Sequence, residues 1–182
     1  MAGFRGTGFR GIRYAGGCVS SALLLIAFPL ASLAQAGPPK AILHSGSEKQ
    51  TGHGPYWSKG RSADGNMCSI MHADGFYDWP PALEHDDDKK LRLRFHKDSR
   101  PDKLKILDYP RIGDHDLPAG HSRKVSYELK RVRNEDGETV GWKALFYRRG
   151  PGHHYLDVYA KWQGKGCYFD EAAYNFHVKT VE

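Results

Sequence analysis

Ten histidines lie between residues 44 and 177, and two groups of them carry donors that could bind a transition metal. Asp114-His115-Asp116 with His121 offers carboxylates and imidazoles within one short segment, and His153-His154 adds two imidazoles beside the tight turn Gly150-Pro151-Gly152. Zinc and copper take such donors from strand ends and loops. No spacing among them matches a metal motif, so solvated histidines on loops and outward strand faces are the preferred reading. No cofactor is expected, with a transition metal on Asp114, His115, Asp116, His121, His153 and His154 as the alternative. Glu84-His85-Asp86-Asp87-Asp88 resembles the oxygen-rich run of a calcium loop but lacks the EF-hand spacing and its glycine, which makes it a polar turn. The chain contains no G-x-S-x-G, no H-E-x-x-H and no phosphate-binding glycine loop. No catalytic residue is therefore assigned.

Aromatic residues form the third constellation. Tyr56-Trp57 and Phe76-Tyr77-Asp78-Trp79-Pro80-Pro81 place large rings in segments rich in glycine and proline. Ring faces stack on sugars and anchor protein partners while neighbouring polar groups supply hydrogen bonds, so Trp57, Tyr77 and Trp79 are the candidate ligand platform. The competing reading has Phe76 and Trp79 closing one end of the fold. Trp142 and Trp162 alternate with apolar residues and belong to the core.

The elements that must position these groups are strands. Leu91, Leu93 and Phe95 alternate with Arg92, Arg94 and His96; Val125, Tyr127 and Leu129 alternate with Ser126, Glu128 and Lys130. The same period of two runs through Val140–Phe146, Leu156–Trp162 and Tyr174–Val178, and weaker strands are expected at Met67–His72 and Lys103–Tyr109. Around Leu156, the set Tyr155, Asp157 and Tyr159 falls on the opposite face from Leu156, Val158 and Ala160. Asn134-Glu135-Asp136-Gly137 and Gly150-Pro151-Gly152 are expected to close hairpins, and Gln163-Gly164-Lys165-Gly166 to end the next strand. No segment sustains a helical period. About seven to eight short strands give an all-β antiparallel sandwich before a barrel or an α/β fold.

Residues 1–36 have the pattern of a secretory signal peptide: Arg5, Arg10 and Arg13 with no acid, an apolar run from Val19 to Leu33, then Ala34-Gln35-Ala36. This leader takes three of the 27 Lys and Arg and none of the 21 Asp and Glu, so residues 37–182 carry 24 bases against 21 acids, or +3. Charges alternate in sign along the chain. That predicts an ordinary solvated surface and no nucleic-acid partner; no membrane span is expected after cleavage, since the apolar run Val19 to Leu33 is short and holds Pro29. Cys68 and Cys167 then remain, and an oxidising compartment would join them. Residues 37–66, with Gly37, Pro38, Pro39, Gly46, Gly52, Gly54, Pro55, Gly60 and Gly65, read as a polar arm, with a short strand at Ala41-Ile42-Leu43, ahead of a sandwich domain at 67–182.

Pro151-Gly152-His153-His154-Tyr155-Leu156-Asp157-Val158-Tyr159-Ala160-Lys161-Trp162, followed by Tyr174-Asn175-Phe176-His177-Val178, resembles the last two strands of immunoglobulin-like and fibronectin-III-like domains of exported bacterial proteins. In that family a Pro-Gly corner leads into a tyrosine-bearing strand. The resemblance implies an immunoglobulin-like sandwich and is silent on ligand. The expectation is a secreted, non-catalytic binding or structural module for an extracellular polysaccharide or surface protein. A metal-dependent or acid/base hydrolase using histidines and carboxylates of the loops is the alternative.

Overall fold

A computed structural model describes residues 38–63, 67–148, 150–164 and 168–181, with the backbone path alone for 61–63 and 67–74. The leader, Cys167 and the proposed bridge to Cys68 lie outside the described residues. Among the described residues fourteen strands are formed: Ala41–Ser45 (β1), Glu48–Thr51 (β2), His53–Ala63 (β3), Met67–Asp74 (β4), Leu83–Asp86 (β5), Lys90–Phe95 (β6), Lys103–Tyr109 (β7), Arg111–Ile112 (β8), Pro118–Ala119 (β9), Arg123–Lys124 (β10), Glu128–Arg133 (β11), Thr139–Tyr147 (β12), Gly152–Gln163 (β13) and Phe169–Val181 (β14). Among the described residues the one helical piece is a 3-10 turn at Asp114–Asp116.

The fold is all-β and sandwich-like. One sheet runs β11-β12-β6-β1-β2; the other runs β10-β7-β13-β14-β3-β4, and β5 joins it on β14. Pairing is antiparallel except for β5 on β14. Alternation decides what faces inward: Leu91, Leu93 and Phe95 of β6 and Leu43 of β1 meet Leu156, Val158 and Ala160 of β13 and Phe176 and Val178 of β14, all with zero exposure. Trp162 is core as expected, edge-on to Phe95 at 5.5 Å.

Four expectations need correcting. Residues 41–63 are not an arm: β1 is an interior strand of the five-stranded sheet and β3 pairs with β14 through the middle of the other. The glycines there permit close approach. A Cβ on Gly52 would stand 2.6 Å from the Phe176 ring, and one on Gly54 would stand 2.8 Å from the Ala173 carbonyl. The run from Glu84 does not simply turn, because Leu83–Asp86 pairs parallel with Val178–Val181. Gly150-Pro151-Gly152 closes no hairpin; it carries the chain from β12 in one sheet to β13 in the other. Finally, Val125 and Tyr127 lie between β10 and β11, packing on the core without a continuous strand. Asn134–Gly137 does close the β11–β12 hairpin, with Gly137 at φ +82°.

Candidate functional site

The outer face of the seven-stranded sheet collects the side chains that alternate away from the core. Its central positions are Tyr155, Asp157 and Tyr159 on β13, facing His177, Asn175 and Ala173 on β14. Residues 75–82, between β4 and β5, cross this face and bring rings from a distant part of the chain onto it. The Trp79 ring meets Tyr155 edge-on at 5.2 Å, and Tyr77 stacks on Trp79 at 5.8 Å. Tyr155 stacks on His177 at 4.5 Å, and the His177 ring lies 5.0 Å from that of His153. Five rings thus form one continuous row.

The crossing segment is fastened along its length. The Gly75 amide donates to the Pro55 carbonyl at 2.6 Å, and Asp78 pairs with His53 at 3.1 Å. The Trp79 indole N–H donates to the Asp116 carbonyl at 2.7 Å, which ties it to the tip of the β8–β9 hairpin. Both His115 and Asp116 at that tip adopt left-handed φ, 56° and 58°. This conformation is uncommon for residues with a Cβ and persists where neighbours over-determine it. The Gln50 amide donates to the carbonyls of Pro81 and His177 and accepts from the His177 amide, joining segment and β14 from below. A ligand would therefore meet a wall already in place.

Between this segment and the sheet opens a cleft of about 420 Å³ lined by Asp78, Trp79, Pro80, Pro81, Ile112, Asp116, Tyr155 and His177 among others. His177 Nδ1 lies 3.3 Å from the Pro80 carbonyl, so that nitrogen carries the proton and donates. Nε2 is then the acceptor for His153 Nδ1 at 2.8 Å. Burial holds His177 below the usual histidine range although the Pro80 carbonyl favours the charged ring. With both nitrogens engaged, His177 is a neutral polar wall. Burial also pushes the Tyr77 hydroxyl up, with Asp157 and Tyr109 adding to the effect. Further along the face Glu171 accepts from Tyr56 at 2.6 Å and Tyr159 at 3.0 Å and pairs with Lys161 at 3.1 Å. Burial would raise its pKa, but these donors outweigh it and hold Glu171 low, while burial and this carboxylate push Tyr159 up to about 12.

Of the candidate platform, Tyr77 and Trp79 meet in this cluster and Trp57 does not. Trp57 pairs opposite Ala172 and packs against the core from the inner side. Phe76 closes nothing; it is 97% exposed. The metal candidates are dispersed. Asp114, His115 and Asp116 occupy the hairpin tip, with Asp116 reaching the cleft; His121 lines a separate cleft with Asp108, Arg123 and Arg148. His153 faces outward onto His177, whereas His154 points into the interior, 3.5 Å from Asp108. Successive strand residues point to opposite faces, so this pair of neighbours cannot share one ion. Among the described residues no group of three or more His, Cys, Asp or Glu is placed to hold a metal. The residues missed by sequence reasoning were Tyr155, His177, His53 and Asp78. Tyr155 was recoverable, because its phase with Asp157 and Tyr159 already set it on the outer face.

The chain matches no protein-family model, no curated protein and no solved structure.

Proposed function

We propose that the protein is an exported binding module that recognises a saccharide ring in the cleft between residues 78–82 and the outer face of the seven-stranded sheet. The observation that carries this reading is the row Tyr77–Trp79–Tyr155–His177 held in register by backbone and side-chain hydrogen bonds beside two carboxylate-bearing residues, Asp78 and Asp116. Pre-placed aromatic walls with a few polar groups are the usual make-up of a small-ligand site. A site that needs no ordering on binding also loses less of its interaction energy. The carboxylates select an uncharged or amino-bearing sugar over an acidic one.

The signal-like pattern of residues 1–36 supports export, and a Cys68–Cys167 bridge belongs to the same reading; a thiol assay of the secreted protein finding two free thiols removes it. The two packed sheets, antiparallel but for β5 on β14, and the long antiparallel β13–β14 pair support an immunoglobulin-like assignment. Among the described residues no helix is long and apolar enough to cross a membrane.

A glycan array probed with the wild-type protein and with Trp79→Ala and Tyr155→Ala tests the site. The expected result is a signal with wild type that both variants lose while keeping the wild-type far-ultraviolet spectrum. Removing one stacking partner forfeits about 0.5 to 1.5 kcal/mol beyond the buried area. A silent array, or full binding by folded Trp79→Ala, overturns the proposal.

A further inference from the structure

The outer face of the five-stranded sheet is the counterpart of the face just described, and its chemistry is different. Its positions are fixed by register: on one cross-strand row Lys49 pairs with His44, His44 with Arg92 and Arg92 with Leu145; on the next, Ile42 pairs with Arg94, Arg94 with Lys143 and Lys143 with Lys130. Six basic groups from five strands therefore share one surface. Rows of this kind set neighbours about 5 Å apart across strands and about 7 Å apart along them. Glu128, the acid on these rows, is taken by Lys130 at 3.0 Å. Among the described residues Lys49, Arg92, Arg94 and Lys143 have no acidic partner. Burial lowers the pKa of His44 and of His96, and Arg92, Arg94 and Lys49 near the first and Arg94 and Lys40 near the second lower them further, as an uncompensated positive field must.

Charges that alternate in sign along the sequence are thus sorted by the pleat. Arg92, Arg94 and His96 each follow a core residue, and β2, β12 and β11 add the cations Lys49, Lys143 and Lys130 on the same side.

We propose that this face is a second binding surface, for a linear acidic polysaccharide carrying carboxylate or sulfate groups. The spacing of the cations suits a chain with repeated anionic groups, and guanidinium forks take carboxylate and sulfate oxygens in pairs. Two other polyanionic partners fit less well. Nucleic-acid strands bind on surfaces where cations interleave with stacking rings; here the residues between the cations are Ile42, Leu145 and Val132, and the aromatic on the face, Tyr147, lies under Lys90. A membrane surface calls for protruding apolar side chains, and Ile42, Leu145 and Val132 are half-buried between the cations. The surface is separate from the saccharide cleft and stands without it.

Affinity electrophoresis of the purified protein at low ionic strength tests the proposal, with polygalacturonate and dextran sulfate as probes and unmodified dextran, oligo-dT and phosphatidylserine vesicles as comparisons. Wild type is expected to be retarded by both acidic polymers, less so as salt rises, and not by dextran. The double variant Arg92→Glu/Arg94→Glu should lose at least about tenfold in affinity, and Lys103→Glu/Lys124→Glu, outside this face, should retain it. Addition of polygalacturonate should also move the His44 and His96 ring titrations upward in proton NMR, because the bound anions offset the field of the arginines. Folding of the charge-reversed variant is checked by its melting curve, with Arg92→Gln/Arg94→Gln as the milder replacement. Retardation by neither polymer, equal affinity of the folded Arg92/Arg94 variants, or tighter binding of oligo-dT or vesicles overturns the proposal. A silent glycan array together with retained polymer binding would remove the cleft reading and leave this one standing.

Discussion

Asp157 lies on the outer face of the seven-stranded sheet opposite Asn175, whose side chain is fully buried and has no hydrogen-bond partner among the described residues. Burial raises the Asp157 carboxyl pKa, and Lys105 pulls the other way. A carboxyl with a higher pKa in the folded than in the unfolded chain binds more protons when folded, so its ionisation opposes folding as pH rises through the folded value. Below the unfolded value of about 4 both states are protonated and the effect vanishes. Asp157→Asn is therefore expected to raise Tm at pH 7, with the gain shrinking as pH falls towards 4. An unchanged or lower Tm at pH 7 would show that the carboxylate is better satisfied than its surroundings suggest. The outward direction of Asp157 was legible in the sequence, since it alternates with Leu156 and Val158. Its burial was not: the cover comes from residues 75–82, and no local pattern tells where a loop will lie.

At the scale of elements, alternation and turn chemistry located β6, β7, β12, β13 and β14, because each carries a half-buried period of two. Apart from the short strand at Ala41-Ile42-Leu43, the strands of residues 41–63 were lost behind their glycines and prolines, which resemble a linker when counted and act as spacers when placed. Gly54 shows the difference. Its missing side chain lets β3 pass the β14 backbone just where the β3–β14 register shifts, between Ala173 and Asn175. Gly54→Ala is expected to destabilise the protein by about 1 to 3 kcal/mol, the range for forcing extra volume into a packed site. Urea unfolding measures it, and a change below about 0.5 kcal/mol would place β3 differently. The same substitution should weaken the cleft, since Gly75 docks on Pro55 next door. The dispersal of the metal candidates has an element-scale reason too: three of them sit on one hairpin tip, and His153 and His154 point to opposite faces of β13.

The described residues have two outer sheet faces of unlike chemistry, one aromatic with carboxylates and one basic, and a net charge of +3 over residues 37–182 hides both. Linear charge patterning could not separate them, because sorting needs the register of five strands. Acid should weaken this arrangement. His44, His85, His96 and His177 are each lowered by burial, so the unfolded chain takes up protons before the folded one does. Their stabilisation is complete above the unfolded histidine value of about 6.5 and is lost as pH falls below it towards the depressed folded values. Tm is accordingly expected to drop between pH 7.5 and pH 5.5 by calorimetry. His85→Gln should flatten that slope, since His85 is 1% exposed with Nδ1 3.1 Å from the Ser45 hydroxyl.

β14 joins what lies far apart in the chain: it pairs with β13 on one side, and on the other with β3 along its first half and β5 along its second. Tyr56 finds Ala173, and Leu83 finds Val178, only after nearly all the intervening residues have been made. Sheets closed by such distant partners fold in milliseconds to seconds and expose strand edges while they wait. A growing chain therefore cannot close its seven-stranded sheet until β14 leaves the ribosome. Until then β3 and β13 each keep one edge unpaired and open to a chaperone or to a neighbouring chain.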